Sequence, residues 1–220
     1  MKKNFIILSV AAVAIGCLLL FFLRSKEQKQ PLRTLPFFDP KDYSRTKRET
    51  HHVIPPFSFT DQYGKTVTDK TTEGKVYVCD YFFTTCHSIC PVMSNQLVRV
   101  YNKYKRRGDF LILSHTVDPE TDTVAQMLDY AKKHGVNDEK WLFLTGDKKE
   151  LYRLARKGYL LSVDEGDGGE DDFIHTQNFA LIDKEKHIRG YYDGTDSLEV
   201  KRLIDDLQLL FDAYEYEKKK

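Results

Sequence analysis

Hydrophobic positions along the chain fall into two rhythms. Short apolar, β-branched or aromatic runs recur at Val76–Phe83, Phe110–Val117, Trp141–Leu144, Phe179–Asp183 and Ile188–Tyr192. Runs of this length bounded by glycine, threonine or charged residues read as buried strands. Between them the apolar positions switch to helical spacing. Val92, Met93, Leu97, Val98 and Tyr101 share one face over 91–106, with Pro91 suited to a first turn. The segment 118–122 caps a helix that runs to His134, where Gly135 stops it; Asp147 opens another to about Lys157, stopped by Gly158. Ser197 caps a last helix whose apolar face is Leu198, Val200, Leu203, Ile204, Leu207 and Leu210. Phe57–Thr60 and Thr66–Thr68 flank a turn signal containing Gly64, and 184–187 joins the last two strands. Strands alternating with helices predict an α/β sheet covered on both faces. A closing hairpin and helix, beside a cysteine-bearing first strand–helix turn, is the thioredoxin-like arrangement with extra β-hairpins. A domain over 51–214 is long enough for a sizeable core, and 215–220 is a charged tail.

The N-terminal pattern differs. Lys2 and Lys3 precede an apolar run from Phe5 to Leu23. At helical rise it spans about 28 Å, close to a hydrocarbon core. Ala12-Val13-Ala14 resembles a signal-peptidase site and Ala14-Ile15-Gly16-Cys17 a weak lipoprotein site, but cleavage would leave the oily Leu18–Leu23 at the new terminus. Residues 1–23 are therefore expected to form an uncleaved signal anchor, a single transmembrane helix preceding the domain. Residues 24–50, polar and containing Pro31, Pro36 and Pro40, read as a tether, with His51 and His52 solvated at its end. The domain is expected outside the cell (inner) membrane, facing the periplasm or exterior.

The net charge of +1 over 220 residues argues against a nucleic-acid partner. Four cysteines are too few for a disulfide scaffold. Cys17 and Cys79 lie in apolar runs and read as packed thiols. Cys86 and Cys90 are the one close pair, at the turn between the strand 75–83 and the helix 91–106. Positions i and i+4 on a helical turn share a face, about 6 Å apart. A helix N-terminus also favours thiolate.

The pair admits two chemistries. One is a dithiol that cycles with a disulfide, Cys86 attacking and Cys90 resolving. Redox sites of the thioredoxin kind have two residues between the cysteines and often a preceding tryptophan; here there are three residues and no tryptophan. The other is a metal site, which needs a third ligand. His87 lies between the cysteines but off their shared face. His115 reads as a core or edge histidine, and His134 and His187 as exposed. His175 follows an acidic, glycine-rich stretch, 162–173, expected to be solvated. It enters a central strand that a thioredoxin-like sheet sets beside the cysteine turn. Two thiolates and an imidazole suit Cu(I), and serve Cu(II) or Zn(II) as well. A structural disulfide is the plain alternative.

Thr85-Cys86-His87-Ser88-Ile89-Cys90-Pro91 resembles the T-x-C-x-x-x-C-P motif of the Sco/SenC family. Val117–Thr123 resembles that family's V-D-P-x-x-D-T segment, and Trp141–Gly146 its W-x-x-L-T-G. The resemblance covers about Val53 to Leu210. It implies a thioredoxin-like fold with an extra hairpin and one copper ion per domain, Cu(I) and also Cu(II), bound by Cys86, Cys90 and His175. It further implies copper delivery to, or thiol maintenance of, the binuclear copper centre of cytochrome c oxidase. The partners would be the copper-receiving subunit of the oxidase, another copper chaperone or thiol reductant, and the membrane through the N-terminal helix. His87 stands where many members have proline, so it could tune or compete for the metal. Some members act mainly as thiol reductants, which keeps an extracytoplasmic thiol–disulfide oxidoreductase using Cys86 and Cys90 open.

Overall fold

Among the described residues, seven strands form one sheet. The computed structural model describes residues 34–40, 51–162, 166, 168–169 and 172–219. The expected anchor over 1–23, Cys17 included, lies outside them. No helix among the described residues is long and apolar enough to cross a membrane.

The strands are β1 (Ser58–Asp61), β2 (Thr66–Thr68), β3 (Val76–Phe82), β4 (Phe110–Thr116), β5 (Trp141–Thr145), β6 (Asn178–Ile182) and β7 (Ile188–Asp193), and they lie in the sheet in the order β2-β1-β5-β4-β3-β6-β7. The helices are α1 (Ile89–Tyr104), α2 (Val124–Lys133), α3 (Lys148–Arg153) and α4 (Ser197–Glu217). A π-turn, Leu154–Gly158, continues α3. β3, β4 and β5 run parallel, joined through α1 and α2. β6 runs antiparallel to β3, with Cys79 opposite Ala180, and pairs with β7 as a hairpin.

β3 and β4 are buried along their whole length, which is why they read as unbroken apolar runs. Val76, Val78 and Phe82 face a core closed by α1, α2 and α4. Tyr77, Cys79 and Tyr81 face a second core closed by α3 and its π-turn. Trp141 lies in the first core and donates its indole N–H to Ser114 Oγ at 2.8 Å. Each large side chain so buried is worth about 1.5–3 kcal/mol.

Several helix ends differ from the sequence expectation. α1 begins at Ile89, ahead of Pro91, so Cys90 lies in its first turn and Cys86 precedes it. α1 stops at Tyr104, four residues before Gly108. Thr123 caps α2 and Asp196 caps α4. Gly135, with φ +71°, follows α2 as expected. Leu198 is exposed, since α4 buries Val200, Leu203, Leu207, Leu210 and Phe211.

Within the stretch expected to be a tether, residues 35–39 pack along β7. Phe38 N donates to Ile188 O at 3.0 Å, covering an edge strand that would otherwise offer its backbone to other chains. Arg189 donates to the carbonyls of Leu35 and Pro36 and lies 4.1 Å from the Phe37 ring centroid. His51, stacked on Phe37 and bonded to Asp39, is tied to this strap. His52 is buried, its Nε2 against Gly158 O at 2.7 Å. Neither histidine is simply solvated. Phe37→Ala is expected to cost about 1 kcal/mol through the lost ring contacts, a fall of about 2–4 °C in Tm that calorimetry would register. An unchanged Tm would mean the strap adds nothing to the fold.

Candidate thiol and metal site

Cys86 and Cys90 are brought together by the turn leaving β3, and not by one helical face. Cys86 N donates to Phe83 O at 3.2 Å, folding the chain back before α1 starts. Ser88, the residue before α1, caps it with no side-chain hydrogen bond, so the first helical N–H groups need another acceptor. The Cys86 sulfur stands at this end, its Sγ 3.6 Å from Ser88 Oγ.

This placement splits the two thiols. Burial pushes Cys86 up, but hydrogen bonds from the Cys90 thiol, from the Cys90 and Ser88 backbones and from the Ser88 hydroxyl outweigh it, bringing Cys86 down to about 7. Burial and the bond to Cys86 push Cys90 up to about 12. Both sulfurs are buried and neither is in a disulfide. Cys79 is fully buried in the second core, its thiol pushed well up by burial, the packed residue expected.

His175 enters from the segment that precedes β6. Because β6 pairs with β3, that segment lies beside the cysteine turn. Phe173 meets Phe83 edge-on at 5.2 Å between ring centroids, and His175 packs on Phe173 at 4.8 Å. His175 is exposed and lines a shallow cavity with Ile89, Leu161, Ser162 and Asn178. Ile89 lies between the two cysteines in sequence. Among the described residues no three His, Cys, Asp or Glu side chains stand together closely enough to hold a metal ion. The structure thus places the thiols as a pair and His175 across a neighbouring cavity wall, without closing the three into one cluster. The donors nonetheless suit a soft cation: two sulfurs are in place, one of them thiolate-prone, and an exposed imidazole stands beside them.

The other histidines separate cleanly. His87 is exposed. His115 is fully buried among Phe57, Phe59, Tyr81 and Tyr159, and neither ring nitrogen has a hydrogen-bond partner among the described residues. His134, expected to be exposed, is half-buried against Tyr130 and Trp141. His187, also expected at an exposed tip, is half-buried and its Nδ1 bonds His52 O at 2.8 Å.

The acidic stretch is not solvated throughout. Asp164, Glu165, Asp167, Glu170 and Asp171 lie outside the described residues. Asp172 makes a two-pronged pair with Arg156, both bonds 2.7 Å, and accepts from Gly168 N. The Arg156 guanidinium holds the Asp172 carboxyl below its usual range. Asp122, expected within the capping segment 118–122, instead accepts from Thr84 N just ahead of Cys86; the cap of α2 is Thr123.

The SCO1/SenC family model matches residues 45–211. The chain belongs to that family. It is 30% identical over 164 residues to the SCO1 protein homolog of Bacillus subtilis, covering 74% of this chain and 84% of that one. Among solved structures it is similar to BsSco, a member of the Sco family of cytochrome c oxidase assembly proteins in which a disulfide switch was identified, with TM-score 0.61, 30% identity, and 74% and 96% of the two chains covered. It is similar also to Arabidopsis thaliana ScoI with copper bound, with TM-score 0.56 and 26% identity, covering 71% and 98%. The domain thus has the thioredoxin-like Sco fold.

Proposed function

We propose that this Sco-family protein is a copper-binding assembly factor for cytochrome c oxidase. Cys86, Cys90 and His175 would hold the ion as cargo, one per domain, for the copper-receiving subunit, or the thiols would prepare that subunit's binuclear centre. The observation that carries the reading is the thiol pair at the start of α1 with the His175 segment packed beside it through Phe83 and Phe173. Copper-bound ScoI from Arabidopsis thaliana and the assembly role stated for the family of BsSco support it. Two sulfurs and an imidazole favour Cu(I) and admit Cu(II). His175 lies in an open cavity, so it can approach a cation that the sulfurs already hold. The run Phe5–Leu23 would anchor the protein in the inner membrane by a single pass, with the domain on the periplasmic or outer side. There it would meet its client and a copper chaperone or thiol reductant.

The experiment is competition for Cu(I) by a chromophoric chelator under anaerobic conditions. Cys86→Ser and Cys90→Ser are expected to remove the tight site, and His175→Ala to weaken it at least about tenfold, which is about 1.4 kcal/mol of binding, with Tm unchanged. Unaltered affinity in His175→Ala would sink the three-ligand assignment.

A second reading rests on the split thiols. A sulfur near 7 beside one near 12 is the pattern of an attacking and a resolving cysteine. As an extracytoplasmic thiol–disulfide oxidoreductase the protein would need both cysteines and tolerate loss of His175. The two roles are compatible, because a thiol pair must be reduced before it takes copper.

A further inference from the structure

The ends of β3 and β4 converge on one buried carboxylate. Asp122 has no solvent exposure. Its Oδ1 accepts from Thr84 N at 3.0 Å and from the Thr84 hydroxyl, and its Oδ2 from Thr84 N at 3.3 Å and the Thr116 hydroxyl. Thr116 ends β4 opposite Phe82, the last residue of β3. Thr116 Oγ1 also accepts from Asp118 N at 2.9 Å, and Asp122 N donates to Asp118 O at 2.8 Å, so the loop that carries the carboxylate is itself braced. Hydrogen bonds to a buried carboxylate are charge-assisted and about twice as strong as neutral ones. Asp122 does not serve its own helix, whose cap is Thr123. Its bonds go across to Thr84, two residues ahead of Cys86, where β3 has ended and the backbone is not yet held by α1. That is the one stretch of the cysteine loop that neither the sheet ladder nor the helix fixes.

We propose that Asp122 is a positioning residue for the cysteine loop: by gripping Thr84 through backbone and hydroxyl together, it sets where the Cys86 sulfur stands relative to α1 and Cys90. As far as copper is concerned, this rests on the reading above. The thiol–disulfide part does not. The network braces the loop in the form with both thiols free, so its loss favours the Cys86–Cys90 disulfide. In that oxidation the two thiols give two electrons and two protons to oxidised glutathione, which leaves as two molecules of thiol.

The test is the equilibrium of the full chain with reduced and oxidised glutathione, read by alkylation and mass spectrometry, alongside Tm. Asp122→Asn and Thr84→Val are each expected to shift the equilibrium about tenfold toward the disulfide, about 30 mV. Thr84→Ser, which keeps the hydroxyl, should stay within twofold of the parent. Tyr152→Phe removes a different buried bond at the end of β4, to Val117 O at 2.8 Å, and should lower Tm without moving the equilibrium. A lowered Tm with an unmoved equilibrium in both Asp122→Asn and Thr84→Val would make the network merely structural and overturn the proposal. Should Asp122→Asn fail to fold, the valine and serine variants of Thr84 decide it alone. Cu(I) competition on the same variants should show parallel losses. If the parent chain takes up no copper, the proposed function falls while the glutathione equilibrium still judges Asp122.

Discussion

Replacing His115 with leucine is expected to turn a fold whose stability is nearly flat between about pH 4 and 6.5 into one that weakens steadily as the pH rises across that window. Burial alone pushes His115 from its ordinary 6.5 down to about 3. Between those values the unfolded chain carries a proton that the folded chain refuses. Its contribution is therefore full above about 6.5 and lost as the pH falls toward 3. Asp80 does the opposite. Burial raises it from 3.8 to about 7, against the lowering effect of the hydrogen bond from Ser114. The folded chain then holds a proton that the unfolded chain has released, so stability is full below about 4 and lost as the pH rises toward 7. Each group alone gives a slope of about 1.4 kcal/mol per pH unit. Between about pH 4 and 6.5 the two slopes cancel, apart from a smaller term of the same sign as His115 from His134, which burial also lowers. His115→Leu leaves the Asp80 slope bare, and Asp80→Asn leaves the His115 slope bare. Over that window each variant should diverge from the parent by about 3 kcal/mol, in opposite directions. Urea midpoints at four pH values would show it. Three parallel profiles would mean that these residues do not titrate as their burial demands.

Arg156→Ala is expected to cost about 2 kcal/mol and to weaken copper binding as well. The Arg156–Asp172 pair is covered by its neighbours, with each side chain 10% exposed, yet it lies near the surface. The cost therefore falls below the about 3–5 kcal/mol of breaking a deeply buried pair. Arg156 belongs to the π-turn after α3, and Asp172 stands three residues before His175. The pair thus anchors the segment that carries His175 into β6, beside the cysteine turn. Arg156→Lys keeps the charge but not the two-pronged geometry, and should recover only part of the loss. Denaturation together with Cu(I) competition would separate the two effects. A destabilised Arg156→Ala with unaltered copper affinity would detach the pair from the site.

Both predictions concern features that periodicity does not carry. The strands Val76–Phe82 and Phe110–Thr116 were legible because burial on both faces leaves no polar alternation. The cysteine turn was legible because two sulfurs and Pro91 at a strand–helix junction have few other uses. The start of α1 was misplaced, since Pro91 marks a first turn without saying which of its positions it takes. Asp122 and Asp172 were read as a capping segment and a solvated loop. Their partners, Thr84 and Arg156, are 38 and 16 residues away, and a carboxylate looks the same in sequence whether water or a guanidinium meets it. The strap at 35–39 was missed for a related reason. It is held by Arg189 and by one backbone bond to β7, neither of which leaves a rhythm in a proline-containing segment.

The antiparallel pairing of β3 with β6 has a consequence for how this chain can change length. With Cys79 opposite Ala180, the cysteine loop leaves the sheet at the same border where His175 comes in. The interval between sulfur and imidazole is measured along that ladder, not along the chain that separates them. One residue added between His175 and Asn178 would displace the ring by up to about 3.6 Å relative to the sulfurs.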